Sequence, residues 1–228
     1  MKYKHLLFDL DGTLFDYDKA ERVSIRKTFE DFSVEYSDSF LREYRKVNKK
    51  IWLDYESGQI TQKELKTERF RRLGEVLELD IQPELFGKLY LENLSGERSL
   101  LPGVIALLEG LSNDKVKMYL ITNGLKDVQR GRLSGSEITQ YFSDIFISEE
   151  IGAAKPDKAI FDVAFLRMSD PKREEVVIIG DSLSSDISGG SAYGIDTCWL
   201  NPGEVKNGSG IIPTYEIKGL MELRHILS

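Results

Sequence analysis

Cysteine is almost missing from this chain. Cys198 stands alone, so no disulfide can form within it, and a reducing compartment is expected. Its neighbours Trp199 and Leu200 mark it as a buried structural thiol rather than a nucleophile. Histidine is scarce too: His5 and His225 make neither a metal cluster nor a Ser–His–Asp triad, and both are read as structural or solvated. No apolar run approaches the ~18 residues of a membrane span, and the N-terminus lacks the apolar stretch of a signal peptide. There is no Gly-rich nucleotide loop, no internal repeat and no low-complexity segment. Positive charge is in deficit: 31 Lys and Arg face 38 Asp and Glu, a net charge of −7. That balance argues against a nucleic-acid polymer or an anionic membrane as partner. The chain is therefore expected to be cytoplasmic. A small phosphorylated substrate stays open, because a metal and one lysine can make a local positive site.

What is present is an ordinary globular mixture, 41% hydrophobic and 30% charged, long enough for one large domain or two small ones. Leu6-Leu7-Phe8 runs straight into Asp9-Leu10-Asp11-Gly12-Thr13. The apolar run suits a strand buried on both faces. Carboxylates two apart at its end are expected on one side, with Gly12 permitting a tight turn and Thr13 adding a hydroxyl. From about Lys19 to Glu97 apolar residues recur at helical spacing, as in Phe40, Leu41, Tyr44, Val47, Ile51 and Tyr55. Four helices are predicted there, broken at Ser57-Gly58-Gln59 and at Ile81-Gln82-Pro83. From Leu101 strands alternate with helices. Strands are expected at Val116–Ile121, Asp144–Ile147, Val176–Ile179 and Asp196–Leu200. A polar helix is expected to reach about Thr139, and a short extended piece and closing helix fill Tyr215–Leu227. The pattern predicts an α/β fold: a Rossmann-like parallel sheet with helices on both faces, interrupted by an inserted four-helix domain. The expected boundaries are 1–16 and 97–228 for the α/β core and 17–96 for the insertion.

Ligands of such sheets bind beyond the carboxyl ends of the strands. Four groups of polar residues stand there: Asp9/Asp11, Thr122/Asn123, Lys155 and Asp181/Asp186. Each has an ordinary reading as a turn, a helix cap or a solvated lysine. Together, in this order, they resemble the four signatures of the haloacid dehalogenase-like hydrolases. These are the DxDGT stretch at Asp9–Thr13, the strand ending in Thr122-Asn123, Lys155 before Pro156, and Gly180-Asp181 with Asp186.

The resemblance implies a phosphatase in which Asp9 is the nucleophile and Asp11 the general acid and base. It implies Mg²⁺ held by Asp9, the Asp11 backbone carbonyl and Asp181, with Asp186 orienting that shell and Thr13 close by. Lys155 would hold the phosphate and offset the charge of Asp9. The Thr122 hydroxyl and the Asn123 backbone N–H would take phosphoryl oxygens. The insertion falls where this family carries a helical cap.

A narrower resemblance runs nearly end to end. Val47–Trp52, Glu56–Thr61, Arg69-Phe70, Ile147–Gly152 and Thr197–Asn201 are similar to the bacterial pyrimidine 5′-nucleotidases. The implied substrates are UMP, dUMP, dTMP and non-canonical analogues. Val47, Ile51 and Tyr55 are expected to pack. Asn48 and Trp52, one helical turn apart, are candidates to hydrogen-bond and stack on a pyrimidine. Two other readings stay open: a sugar-phosphate phosphatase or phosphomutase on the same core, and a non-catalytic phosphate-accepting signalling or binding module. A dehalogenase is disfavoured, because the relatives with that activity lack the second carboxylate, Asp11. The sequence assigns no oligomeric state.

Overall fold

The structure, a computed structural model, describes residues 2–227. In chain order its main elements are β1 (His5–Phe8), α1 (Tyr17–Asp31), α2 (Asp38–Glu56), α3 (Gln62–Leu77) and α4 (Pro83–Gly96). These are followed by α5 (Val104–Asn113), β2 (Lys117–Thr122), α6 (Lys126–Ser134), β3 (Phe142–Ile147), α7 (Ser148–Ile151) and α8 (Lys158–Arg167). Then come β4 (Val176–Gly180), α9 (Ser188–Tyr193), β5 (Asp196–Leu200), β6 (Tyr215–Ile217) and α10 (Leu223–Leu227). The chain divides into two compact units, one running up to Tyr17 and resuming at Arg98, the other Asp18–Glu97. No described helix is long and apolar enough to cross a membrane.

The first unit is built on a six-stranded parallel sheet in the order β3-β2-β1-β4-β5-β6. Alternation along the strands separates two cores. Leu6, Phe8, Met118, Leu120, Val177 and Ile179 face one side, where they meet Leu107 and Leu111 of α5 and Leu223 of α10. Leu7, Tyr119, Ile121, Val176 and Ile178 face the other, against Ile160, Phe161 and Phe165 of α8. Each such buried side chain is worth roughly 1.5–3 kcal/mol. The sheet therefore carries the stability and leaves its carboxyl edge free to hold polar groups. Cys198 lies in the first of these cores, and burial pushes its thiol up to about 12. His5 stacks on Tyr119 at 5.9 Å, and burial lowers its pKa.

Because the strand order turns at β1, the chain leaves β1 and β4 side by side, the arrangement that opens a crevice. Phe8 is level with Leu120 on one side and Ile179 on the other. Asp9, Thr122 and Asp181 consequently emerge next to one another.

The second unit is helical. Thr61 and Glu64 cap α3 reciprocally, the Thr61 amide donating to Glu64 Oε2 at 2.7 Å. Phe29, Phe70, Phe86 and Tyr90 pack as neighbouring rings, with Phe29–Phe86 centroids 5.1 Å apart.

Three expectations need correction. The helix after β2 stops at Ser134, with Gly135 at its end, rather than reaching Thr139. Val47 and Tyr55 are half-buried, and only Ile51 of that trio is fully packed. Finally, β1 ends at Phe8, so strand alternation does not set Asp9 and Asp11 on one side. Asp11 instead forms an isolated bridge with Phe15.

Candidate active site

Lys155 sits in the loop between α7 and α8 with its side chain almost fully buried. Its ammonium donates to Asp9 Oδ1 at 2.7 Å, to Asp186 Oδ1 at 2.6 Å and to the Ile121 carbonyl at 2.7 Å. All three of its protons are used, which a buried lysine requires. Asn123 fixes the loop: its Nδ2 donates to the Lys155 carbonyl and its Oδ1 accepts from the Lys155 amide, both at 2.8 Å. This clamp uses the Asn123 side chain, a role not visible in the motif. Asp186 is held from its other oxygen by the Ser182 amide at 3.1 Å.

Asp9, Asp181 and Asp186 each offer an oxygen within 4.8 Å of the others. Three carboxylates thus face one ammonium. Desolvation, countered by Lys155 and reinforced by Asp186 and Asp181, raises the Asp9 carboxyl well above its ordinary range. Asp181 reaches solvent, yet desolvation by the protein around it and the charge of Asp186 push it up to about 7. Burial works against the Lys155 ammonium, but Asp186 and Asp9 outweigh it, and its pKa is raised. Crowded hard oxygens with an excess of negative charge fit a divalent cation. Gly12 makes room for the cluster: with φ +80°, a Cβ there would lie 2.7 Å from Asp181 Oδ2.

Asp11 has other partners. Its Oδ1 is ion-paired with Arg132, and its Oδ2 accepts from Gln129 Nε2 at 2.6 Å. The same Gln129 amide donates to Thr122 Oγ1 at 3.0 Å, and the Gly124 amide donates to that hydroxyl at 3.1 Å. With its oxygen accepting twice, Thr122 retains its own proton to donate. Thr13 is wholly buried and its hydroxyl has no partner. Gln129 and Arg132 were not singled out in the sequence. The available signal was two long polar residues at i and i+3 on one helix face.

In the helical unit Asn48 is buried. Its Oδ1 accepts from Arg69 Nη1 at 3.1 Å, and its Nδ2 lies 3.5 Å from Glu21 Oε1. Trp52 is half-buried, with the Arg69 guanidinium 5.9 Å from its ring.

A nucleophile-type carboxylate held by lysine, a second carboxylate held apart from it, and an acidic trio at one sheet edge define a class of hydrolase. Residues 6–200 match the haloacid dehalogenase-like hydrolases, and the chain belongs to that family. Among its relatives, the HAD-hydrolase YfnB of Bacillus subtilis is 37% identical over 100% of this chain and 96% of its own. The crystal structure of YfnB bound to magnesium, reported to reveal interdomain movement, matches with a TM-score of 0.94 over 100% of both chains. The pyrimidine 5′-nucleotidase YjjG of Escherichia coli is 36% identical, covering 100% of this chain and 99% of its own. The pyrimidine 5′-nucleotidase PynA of Streptococcus pneumoniae is 35% identical, covering 98% and 94%.

Proposed function

We propose that the chain is a Mg²⁺-dependent phosphatase of pyrimidine nucleoside 5′-monophosphates, UMP, dUMP, dTMP and non-canonical analogues, working through an aspartyl-phosphate on Asp9. The observation that carries the chemistry is the buried Lys155 bridging Asp9 and Asp186 beside Asp181. Full-length similarity to two pyrimidine 5′-nucleotidases supports the substrate class.

Phosphate monoester hydrolysis is slow enough that over ~20 kcal/mol of barrier lowering is needed. Asp9 attacks phosphorus while the ester P–O bond breaks, and Asp11 delivers a proton to the leaving nucleoside oxygen. Asp11, then a carboxylate, takes a proton from water, which attacks the same phosphorus. The bond to Asp9 breaks and inorganic phosphate leaves. Lys155 neutralises Asp9 and binds a phosphoryl oxygen. The Thr122 hydroxyl and the Asn123 backbone N–H take the others. Mg²⁺, with Asp9, Asp181 and the Asp11 carbonyl as its protein ligands, would supply countercharge between the two anions. Asp186 orients this set, with Thr13 as a further supporting residue. The residues of 17–96 form the cap, with Asn48 and Trp52 contacting the pyrimidine.

The test is phosphate release from UMP, dUMP, dTMP, AMP, GMP and several sugar phosphates, with Mg²⁺ and with chelator. Mg²⁺-dependent turnover that prefers pyrimidine monophosphates is expected. Activity confined to sugar phosphates would discard the substrate class and keep the chemistry. No turnover on any substrate would favour a phosphate-accepting module instead.

A further inference from the structure

Both oxygens of Asp11 are held from one helix. Gln129 and Arg132 lie three apart on α6, and both are fully buried. A buried arginine is expensive unless paired, so its aim at Asp11 is a designed contact rather than a surface accident. The guanidinium lies 4.3 Å from the Phe15 ring, and Arg98 donates to the Arg132 backbone carbonyl at 3.2 Å. Gln129 has equally little freedom. A Cβ on Gly124 would fall 2.0 Å from its Nε2, so the turn after β2 is glycine where the amide passes.

We infer that Gln129 and Arg132 are positioning residues, and that they set Asp11 and Thr122 as one hydrogen-bonded unit before substrate arrives. The inference rests on the acid/base role proposed for Asp11. Arg132 grips one oxygen of Asp11 and leaves its remaining lone pairs to the reacting atoms. The Gln129 amide has two protons and spends one on Asp11 and one on Thr122. That second bond, with the one from Gly124, fills the acceptor side of the Thr122 hydroxyl. The only hydrogen bond left to Thr122 is donation, the sense a phosphoryl oxygen requires. Gln129 Oε1 is buried without a partner. The amide is therefore oriented by what its nitrogen donates to, not by its carbonyl. Removing Gln129 frees both the carboxylate and the hydroxyl, whereas shortening Arg132 frees the carboxylate alone.

The experiment is a double-mutant cycle on the full chain with Mg²⁺ and UMP. Gln129→Ala and Arg132→Lys are each made in the parent and in Asp11→Asn. Near-attack geometry lost by about 1 Å lowers kcat about 10²-fold, so both variants should lose that factor in the parent. In Asp11→Asn the same changes should cost kcat less than about threefold, because the group they position is gone. Gln129→Ala should also raise KM about tenfold by loosening Thr122, and Arg132→Lys should not. Circular dichroism checks folding; if Arg132→Lys is unfolded, Gln129→Ala decides alone. If the two variants lose the same factor in both backgrounds, they act independently of Asp11 and the inference falls. If Asp11→Asn itself turns over like the parent, the acid/base assignment falls and takes this inference with it.

Discussion

Replacing Lys155 by methionine keeps the length of the side chain and removes the charge between Asp9 and Asp186. At 2.7 Å and an effective dielectric of ~20, each ion pair is worth about 6 kcal/mol of Coulomb energy before desolvation. Burying the three ions offsets most of that, and breaking such a pair by losing one partner costs about 3–5 kcal/mol. For a unit of this size that loss lowers Tm by about 6–20 °C. The deficit should depend on pH with a definite sign. The Asp9 and Asp181 carboxyls are raised above the ordinary ~3.9 by desolvation and by neighbouring carboxylates, and losing the lysine removes the charge that holds them down. A raised group contributes stability that is complete below the unfolded pKa and is lost as pH rises through the folded one. Lys155→Met should therefore approach the parent near pH 4 and fall furthest behind at pH 8. Thermal and urea denaturation across that range, in chelator, measures it. Lys155→Met/Asp186→Asn should recover part of the loss. A deficit under about 1 kcal/mol, or one that grows on acidification, would refute the reasoning.

Asp9→Asn should abolish essentially all turnover while leaving the circular dichroism spectrum that of a folded chain; near-normal phosphate release would end the covalent mechanism. Gly12→Ala places a Cβ 2.7 Å from Asp181 Oδ2 in a left-handed backbone and should cost about 1–2 kcal/mol. Titration calorimetry should show it binding Mg²⁺ more weakly, and unchanged affinity would contradict the crowding argument. Arg69 is a buried cation whose Nη2 has no partner and whose other bonds go to uncharged atoms of Leu65 and Asn48. Arg69→Met should raise stability by about 1–4 kcal/mol in urea melts, and a fall would count against it. Burial pushes the Cys198 thiol up to about 12, so at pH 8 a thiol reagent should label it only after unfolding; rapid labelling of the native chain would show the core open there.

The parallel sheet could be read directly because its information is local. A strand buried on both faces must be apolar throughout, and Leu6-Leu7-Phe8 and Val176–Ile179 satisfy that over a few residues. The same holds for the four inserted helices, whose 3.6-residue period is carried by each segment alone, and for Asp9 and Asp181, each the first residue after a strand. The end of α6 was misjudged because a polar stretch has no apolar period to mark where it stops. Alternation does not govern Asp11 because β1 ends at Phe8, three residues before it.

The rest depended on residues far apart in the chain. Gln129 and Arg132 lie 118 and 121 positions from Asp11. In sequence they are merely polar residues on a polar helix, and only the packing of α6 beside β2 turns them inward. The Asn123 side chain likewise gains its clamp from a loop 32 residues away. A motif names the groups that react, since chemistry restricts the residue types able to do the work. The groups that aim them are chosen by distance and burial, which no short stretch of sequence contains.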